Sequence, residues 1–312
     1  MTHSGVFHAD DVFAAATLAL LHPDAPLVRT RERERLEEAT SSSRWICFDV
    51  GDHFDPAMQN FDHHQRSFAR RRENGVPYAA FGLVWEAHGE AVVREVLAEV
   101  LSQGAEEQDE SSFVRELCAL VDARLVQAVD AADCGELSEQ AHLKDHEDVA
   151  LATCNVSRVV ALYNPPRGER LSHRYDEAFM HAMAMARVLI EAQVQRVYEF
   201  VGAAHVVERA DDGSPLLLLE SYVPWQQHVQ PHHLFVLSPS LDGSGWMIET
   251  VQDDFVPRHP FPQAWAGLRD EALAQVSGVA DVIFCHRARF IAAAKSKKGA
   301  LDLIERALAH EG

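Results

Sequence analysis

The sequence predicts an α/β protein in which a mostly parallel sheet domain is joined by a long helix to a smaller α+β domain. Three observations support this fold class. Residues 1–165 alternate strand-like and helix-like segments, which is the pattern of βα units around a parallel sheet. The proline- and glycine-containing run Asn164–Gly168 marks the end of this pattern. A mainly helical pattern follows in 166–203, and strands and hairpins are expected in 204–312. We take these three ranges as the first domain, the connecting helix and the second domain.

The first domain begins with a helix and a strand. Val12–Leu21 is an apolar run of good helix formers, with Asp10 or Asp11 at or near its N-cap. Arg44–Phe48 predicts a short buried strand that ends at Asp49 and a glycine turn. Two further helices are expected at 90–101 and 111–129, with an acidic loop at 102–110 between them.

The long helix begins near Ser172, which is a suitable N-cap, and repeats apolar residues at helical spacing from Phe179 to Val197. After it, turns at Asp212-Gly213 and Asp242-Gly243 separate strand-like segments, and a last helix follows the lysine run near the C-terminus. The predicted strands are 204–209, 216–220, 234–239 and 246–250.

Composition predicts a soluble cytoplasmic protein. The 312 residues are enough for two domains and a sizeable core. The five cysteines are scattered without a C-x-x-C pair, which favours a reducing compartment over a disulfide framework. No apolar run approaches the roughly 20 residues of a membrane span, and a motif that begins at residue 2 leaves no room for a signal peptide.

The run Asp62-His63-His64 places a carboxylate and two imidazoles in three consecutive positions. Neighbouring side chains of an extended stretch point in opposite directions, so these three converge only at a sharp turn. Such a turn offers oxygen and nitrogen ligands to a divalent metal such as Mn²⁺ or Zn²⁺. The chain has 18 histidines, and a surface His pair is the alternative explanation for the triplet taken alone.

Three other acidic or histidine clusters strengthen the metal hypothesis. Each lies where a strand or helix gives way to a loop, and in open α/β sheets ligands gather at the carboxyl ends of strands. The clusters are His8–Asp11, Asp49–Asp52 and Asp130–Asp133.

Together the clusters predict a two-metal site. Bridging carboxylates hold two cations about 3.5–4 Å apart, one cation activates water, and both neutralise charge on a phosphoryl group. Asp49 is assigned as the bridge because it leaves a buried strand with a glycine behind it. One ion would be bound by His8 and Asp10, and the other by His63 and Asp133.

The roles of several neighbours stay open. Asp62 and His64 are ligands, orienting groups or a proton donor to the leaving oxygen. Alternatively, Asp10 and Asp11 are simple helix caps, and Asp130 is a charge on a helix face.

These motifs resemble those of a known superfamily. Phe61-Asp62-His63-His64, with the upstream His8-x-Asp10 and Asp49, is similar to the DHH phosphoesterase superfamily. The fuller strings resemble its melanocyte-proliferating-gene branch, whose eukaryotic members are 3′–5′ exoribonucleases, and they cover nearly the whole chain. They are Thr2–Asp10, Asp49–Gly51, Asp62–Phe68, Val129–Gly135, Pro224–His228, Trp265–Leu273, Val276–Val279, Phe284–His286, Phe290–Ile291 and Lys298–Leu301.

The resemblance implies a DHH-type catalytic domain and a second domain that contacts the substrate. Two departures from the family pattern are Ala292–Ala294, where members usually carry a Gly pair, and Cys134, where Asn is usual. A Cβ narrows the approach of the backbone to a phosphate, so the first departure bears on substrate contact. By the same resemblance, the residues expected to hold phosphate or the 3′-terminal nucleotide are Arg269, His286, Lys295 and Lys298.

The formal net charge of −20 argues against tight binding of long duplexes, which usually requires a basic stripe. The basic cluster at 29–35 alternates with Glu and predicts a solvated face. Arg66 and the arginines at 70–72 follow the metal motif, where they are placed to meet a substrate phosphate. Lysines 295–298 open the last helix, whose free N–H groups add to their affinity for anions.

The predicted function is a metal-dependent phosphodiesterase, a 3′–5′ exonuclease on short single-stranded RNA. Its expected cofactors are two Mn²⁺ ions, with Mg²⁺ or Zn²⁺ as alternatives, and its expected catalytic residues are Asp62, His64 and Arg66. Two alternatives are a small-molecule phosphohydrolase acting on pyrophosphate or a dinucleotide, and a metal-binding protein without catalysis. A homo-oligomer is left open, and no membrane partner is expected.

Overall fold

The computed structural model describes residues 1–102, 107–136, 155–166, 168 and 171–310. They form two compact units, Met1–Val197 and Tyr198–Gly312. Each unit combines helices with a mixed sheet, so the protein belongs to the mixed α/β class. Among the described residues, no helix combines the length and the apolarity needed to cross a membrane.

The first unit consists of helices around a small sheet. Its strands are β1 (Cys47–Phe48), β2 (Phe54–Asp55) and β3 (Asn60–Phe61). Its helices are α1 (Ala9–Leu21), α2 (Arg33–Thr40), α3 (Ala80–Val96), α4 (Ala98–Leu101), α5 (Glu107–Val121), α6 (Gln127–Asp133), α7 (Val156–Ala161) and the start of α8 (Ser172–Ala210), and a π-helical segment, Asp122–Val126, joins α5 to α6.

The named strands of this sheet are mixed rather than mostly parallel. β3 lies between β1 and β2, and it pairs in parallel with β1 and antiparallel with β2. The 3₁₀ turn Pro56–Met58 reverses the chain between β2 and β3, and a reversal this short allows only antiparallel pairing. Beyond β1, the Phe48 amide donates to the Met1 carbonyl at 3.1 Å, and an isolated parallel bridge joins Thr2 to Arg29.

Two helices of the first unit begin earlier than predicted. α3 begins at Ala80, not near residue 90, because its first turns are apolar and pack against α1, with the Phe13 and Phe81 ring centroids 5.2 Å apart. α5 begins at Glu107, so the predicted acidic loop is helical from that residue onwards, and 103–106 lie outside the described residues.

Gly82 in α3 lies against a buried ion pair, so a larger residue at this position is expected to destabilise the protein. Arg72 Nη1 is 2.9 Å from Asp130 Oδ2, and the Gly82 amide donates to Asp130 Oδ1 at 3.0 Å. A Cβ on Gly82 would overlap Asp130 Oδ2, so we expect Gly82→Ala to lower the free energy of unfolding by about 3 kcal/mol.

Gly202 serves as the contrasting position, because it is exposed in α8 and a Cβ there meets nothing within 4 Å. Gly202→Ala is therefore expected to raise that free energy by about 0.5–1 kcal/mol.

Urea denaturation of both variants measures these effects. A Gly82→Ala chain that unfolds at the same urea concentration as the unsubstituted chain would contradict the described packing of α3 on the ion pair.

The second unit is organised around a five-stranded sheet. Its elements are β4 (Leu216–Leu218), β5 (Phe235–Pro239), β6 (Trp246–Thr250), β7 (Gln252–Asp253), β8 (Val256–Pro257), α9 (Asp270–Ser277), β9 (Val282–Cys285), β10 (Ile291–Ala294) and α10 (Lys297–Leu308). The strand order is β4-β5-β6-β10-β9, in which β4 and β5 pair in parallel and the other neighbours pair antiparallel. Phe261 and Trp265 lie in the core between this sheet and the helices α9 and α10.

Three of the predicted strands of this unit are confirmed to within two residues, and the fourth is wrong. Residues 204–209 continue α8, which runs to Ala210. Residues 203–211 contain neither glycine nor proline, and Ala203 and Val207 are buried one helical turn apart. Helical packing thus outweighs the β-propensity of the valine pair at 206–207. The two predicted turns are confirmed by positive φ values of 80° at Gly213 and 71° at Gly243.

Candidate metal centre

The carboxyl ends of β1 and β3 bring Asp49 and the Asp62–His64 run together. The two strands are parallel neighbours, with Phe48 paired to Phe61, so the residues that follow them leave the sheet at the same edge. Asp49 is 4% exposed and has a φ of 52°, a left-handed conformation in which Asp is enriched. The chain therefore turns sharply where the sequence predicts a bridging ligand.

The N-terminus of α1 supplies a second side of the site. His8 is the N-cap, and Asp10 and Asp11 in the first turn are completely buried. Asp11 Oδ1 accepts a hydrogen bond from the His8 amide at 2.9 Å. Both carboxylate oxygens of Asp10 lack a hydrogen-bond partner within the described part of the chain. The capping role therefore fits Asp11 and does not fit Asp10.

His63 lies among three carboxylates that come from different elements. Its Nε2 is 3.3 Å from Asp49 Oδ1 and 3.4 Å from Asp133 Oδ2 at the end of α6. Asp10 Oδ2 is 3.8 Å from the same nitrogen. His8 is more peripheral, because its side chain is 63% exposed and its Nδ1 is 4.0 Å from Asp133 Oδ1. The structure thus brings these five predicted ligands to one place.

His3 is a site residue that sequence reasoning missed. Its Nε2 is 3.1 Å from Asp49 Oδ2 and 3.2 Å from Asp11 Oδ2, and the residue is 4% exposed. Asp49 therefore faces His3 with one oxygen and His63 with the other. The sequence did contain a hint of this role. In His3-Ser4-Gly5, as in Asp49-Val50-Gly51, a possible metal ligand is followed by one residue and then a glycine.

Burial makes the electrostatics of this cluster unfavourable without further positive charge. Burial, and then the neighbouring carboxylates of Asp49 and Asp133, raise the pKa of Asp10 well above its usual range. Burial favours a higher pKa for Asp49, but the facing imidazoles of His3 and His63 lower that pKa below its usual range. Burial likewise opposes the shifts of the two histidines, whose pKa values are raised to about 9 for His3 and about 10 for His63 by facing carboxylates. The carboxylates outnumber the imidazoles.

The donor set fits divalent cations. Besides the two Asp10 oxygens, Asp49 Oδ1 and His63 Nε2 are buried without a hydrogen-bond partner among the described residues, and buried polar atoms normally require one. Asp49 and Asp133 each belong to two sets of three donors whose atoms lie within 4.8 Å of one another. These sets are His3–Asp11–Asp49, Asp49–His63–His64, His8–Asp10–Asp133 and His63–Asp133–Cys134.

Asp62 holds the turn that carries the two histidines. Its Oδ1 accepts hydrogen bonds from the amides of His63 at 2.8 Å and His64 at 3.2 Å, and it lies 2.7 Å from His64 Nδ1. Its Oδ2 accepts from the Asp52 amide at 2.6 Å. The His64 side chain is 56% exposed, and its hydrogen bond to Asp62 is the main cause that raises its pKa. Arg66 is exposed beyond this turn.

The arginines at 70–72 are held by carboxylates, contrary to the expectation that they meet a phosphate. Their partners are Glu86 for Arg70, Glu136 for Arg71, and Asp122 with Asp130 for Arg72. Asp130 is completely buried, so it is a structural partner of Arg72 rather than a charge on a helix face.

A cavity of about 640 Å³ opens on the site, and it is lined by Arg31 and Arg33 as well as by Asp49, Asp62 and His64. Arg31 Nε donates to the Ser4 carbonyl at 3.0 Å, and its Nη2 donates to His3 Nδ1 at 2.9 Å. Arg31 is exposed, as predicted for the basic cluster at 29–35, but it also lies beside the candidate ligands. The prediction of a solvated face is wrong for Arg29, whose side chain is 3% exposed.

The four predicted substrate contacts of the second unit are all exposed, and they lie at two ends of the β9–β10 hairpin. His286 follows β9, and Arg269 pairs through the backbone with Phe284 near that end. Lys295 follows β10, and Lys298 lies in the first turn of α10. Four-residue strands place the two pairs roughly 10 Å apart, so the structure does not gather them into one cluster.

A second cluster, Asp211 with His232 and His233, fits hydrogen bonding better than metal binding. His232 Nε2 and His233 Nε2 are 2.9 Å and 3.3 Å from Asp211 Oδ1. The Gln230 amide donates to His233 Nδ1 at 2.9 Å, so a neutral ring carries its proton on Nε2. Burial lowers the pKa of His233, which favours that neutral ring. The protonated Nε2 faces Asp211 at 3.3 Å and has no lone pair for a cation.

The fold and the site define an α/β protein with a buried carboxylate and imidazole centre suited to divalent cations. The model of the MYG1 exonuclease family (uncharacterised protein family UPF0160) matches residues 1–308, and the chain belongs to that family. The motif resemblance is confirmed at this level.

Relatives from animals and yeast align with this chain over most of their own length. The chain is 30% identical to the MYG1 exonuclease of Homo sapiens, across 99% of this chain and 85% of that protein. It is 28% identical to MYG1 protein C694.04c of Schizosaccharomyces pombe, across 98% and 96% of the two chains. A solved pGpG-specific phosphodiesterase of Vibrio cholerae, PggH, aligns with 98% of this chain and 96% of its own at 14% identity, with a TM-score of 0.31.

Proposed function

We propose that the chain is a metal-dependent phosphodiesterase, a 3′–5′ exonuclease that releases nucleotides from short single-stranded RNA with two Mn²⁺ ions. The observation that carries this proposal is the position of Asp49, whose Oδ2 is 3.1 Å from His3 Nε2 and whose Oδ1 is 3.3 Å from His63 Nε2. A carboxylate whose two oxygens face separate imidazoles is suited to bridge two cations. The exonuclease names of the mammalian relatives support the reaction class.

Each residue of the site then has a role. The cations would supply an activated water and neutralise charge on the phosphoryl group. Asp62 orients His64, whose exposed ring is the proton donor to the leaving oxygen. Asp11 caps α1 and orients His3. The residues that would hold the cations are His3, His8, Asp10, Asp49, His63 and Asp133.

Arg31 is the residue that we propose for the substrate phosphate in the cavity. No carboxylate of the described residues pairs with Arg31, whereas Arg33 in the same cavity pairs with Glu37 at 2.6 Å. A guanidinium has five N–H donors, and the bonds to Ser4 and His3 use only part of them. Arg31 therefore retains donors for a phosphate that lies against the candidate ligands.

We expect Arg31→Ala to raise KM for a short oligonucleotide about 10- to 100-fold, which corresponds to the loss of charged hydrogen bonds worth about 1.5–3 kcal/mol. Arg71→Ala is the matched control, because Arg71 is an exposed arginine already paired with Glu136. Steady-state kinetics with both variants measures the difference. A larger rise in KM for Arg71→Ala than for Arg31→Ala would show that the arginines after the triplet, and not Arg31, meet the phosphate.

The pH profile tests the role of His64 as proton donor. Its pKa is raised chiefly by the hydrogen bond that its ring donates to Asp62, so the protonated acid persists to higher pH than in a free histidine. In Asp62→Asn this support is lost, the pKa of His64 falls, and the alkaline limb of kcat/KM is expected to move to lower pH. The profile is measured at saturating metal so that metal binding does not set the limb. An unchanged alkaline limb would exclude His64 as the acid.

A substrate-length series tests the function itself. With Mn²⁺, and with Mg²⁺ and Zn²⁺ for comparison, we expect mononucleotides to be released stepwise from the 3′ end of short single-stranded RNA. The net charge of −20 and the pairing of Arg70–Arg72 favour a second candidate, a small phosphodiester or pyrophosphate substrate. Turnover that is undiminished when RNA is shortened to a dinucleotide supports this candidate. Undiminished turnover in metal-stripped protein contradicts both.

A further inference from the structure

Cys134 places a thiol beside His63. It directly follows Asp133 at the end of α6 and is partly buried. Cys134, Asp133 and His63 each have a donor atom within 4.8 Å of the other two. The thiol also contacts the Tyr78 carbonyl oxygen at 3.8 Å, which is a weak hydrogen bond and leaves the sulfur available.

The imidazole in this set of three lacks a partner. The His63 side chain is 9% exposed, and its Nε2 has no hydrogen bond among the residues that the structure describes. The completely buried carboxylate of Asp10, also without a hydrogen bond there, lies 3.8 Å away. Three kinds of donor, namely sulfur, nitrogen and oxygen, therefore surround one partly buried position, and sulfur and nitrogen are both ligands that divalent transition metals accept.

We propose that Cys134 is a sulfur ligand of the cation held by His63 and Asp133, and that this position selects thiophilic ions such as Zn²⁺ or Co²⁺ over Mn²⁺. The proposal rests on the metal centre of the proposed function, and it replaces one of the two Mn²⁺ ions with a thiophilic ion where both kinds of ion are available. A thiolate increases affinity for softer ions, and Mn²⁺ stands lowest in the general order of divalent affinities. The other position, around His3, Asp11 and Asp49, offers nitrogen and oxygen donors, so the two positions differ in selectivity.

Cys118 provides a matched control. It is a free, partly buried cysteine of the same unit, and it belongs to none of the candidate ligand sets found among the described residues. Burial raises the pKa of its thiol to about 12, which disfavours the thiolate. Cys118→Ser therefore makes the same chemical exchange as Cys134→Ser at a position where no metal ligand is expected.

Titration of the reduced full-length protein with Co²⁺ under anaerobic conditions tests the proposal. We expect a thiolate-to-Co²⁺ charge-transfer band in the unsubstituted chain and in Cys118→Ser, and its loss in Cys134→Ser and Cys134→Asn. The visible d–d bands should remain in all four proteins, which also shows that the variants retain the site. In competition titrations, the preference for Zn²⁺ over Mn²⁺ should fall at least about tenfold in Cys134→Ser.

The outcomes separate this inference from the proposed function. Two results would overturn the sulfur ligand and leave the metal centre in place. One is an unsubstituted chain that shows visible d–d bands without a charge-transfer band. The other is a charge-transfer band that survives in Cys134→Ser. The absence of any Co²⁺ spectrum would overturn the sulfur ligand together with the metal centre. A charge-transfer band in a protein that hydrolyses no RNA would overturn the exonuclease function alone.

Discussion

Asp49→Asn is expected to lower kcat about 10³-fold or more, because it removes a carboxylate charge that faces both His3 and His63. Cation stabilisation of the transition state is worth several kcal/mol, and each 1.4 kcal/mol or so is a factor of ten. Asn has nearly the same size as Asp and tolerates the φ of 52° at this position, so the turn is preserved. Kinetics at saturating Mn²⁺ and metal analysis after gel filtration measure the effect, and bound metal should fall from about two ions per chain to one or fewer.

Asp24→Asn is the control for this substitution. Asp24 is an exposed carboxylate just beyond α1, outside the cavity that opens on the site, and its loss changes the net charge by the same amount. Its kcat and metal content should match those of the unsubstituted chain. Equal activity in Asp49→Asn and Asp24→Asn would contradict a bridging role.

Asp62→Ala is expected to reduce kcat about 100-fold and to lower the free energy of unfolding by at least about 2 kcal/mol. The activity falls because Asp62 orients His64, and loss of a group that orients a site residue typically costs 10- to 100-fold. The stability falls because three partly buried hydrogen bonds, which the amides of Asp52, His63 and His64 donate to Asp62, are lost, and a typical hydrogen bond contributes about 0.5–1.5 kcal/mol. Metal content should remain close to normal if Asp62 orients rather than ligates.

Asp55→Ala separates the two effects. Asp55 Oδ1 also accepts two amide hydrogen bonds, from Ala57 at 3.0 Å and Met58 at 3.3 Å, but it caps a 3₁₀ turn that carries no candidate ligand. This variant should lose some stability and keep full activity. Loss of bound metal in Asp62→Ala, with Asp55→Ala normal, would instead make Asp62 a ligand.

Sequence reasoning located the parts of the site that follow strands. Asp49 directly follows β1 and the Asp62–His64 run directly follows β3, and those two strands pair in parallel, so their carboxyl ends coincide. His3 escaped detection because its backbone forms no named strand. Thr2 makes only an isolated bridge with Arg29, too short a segment to show a periodic pattern in the sequence.

Charge patterns were a poorer guide than apolar patterns, because alternation of Arg and Glu does not tell which side chain turns inward. The side chain of Arg29 is 3% exposed and pairs with Asp176 at 2.8 Å, while Arg31 contacts His3. Asp10 and Asp11 are likewise adjacent and chemically identical, yet only Asp11 accepts from the His8 amide. Such distinctions depend on tertiary contacts that the sequence does not display.

The second unit shows the same limit in its last strands. Ala292–Ala294 drew attention as a departure from glycine at a substrate contact, but these residues form β10 between β6 and β9 and are at most 2% exposed. Ala292 and Ala294 pack in the core of the sheet. Their small side chains thus have a packing role, which neither alternation nor propensity predicted for a run of alanines.

Anomalous diffraction at the manganese absorption edge, from crystals grown in excess Mn²⁺, tests the two-cation centre most directly. We predict two anomalous peaks about 3.5–4 Å apart on either side of the Asp49 carboxylate, one beside His3 and the other beside His63 and Asp133. A single peak that Asp49 does not contact, or no peak at all near these residues, would contradict the account.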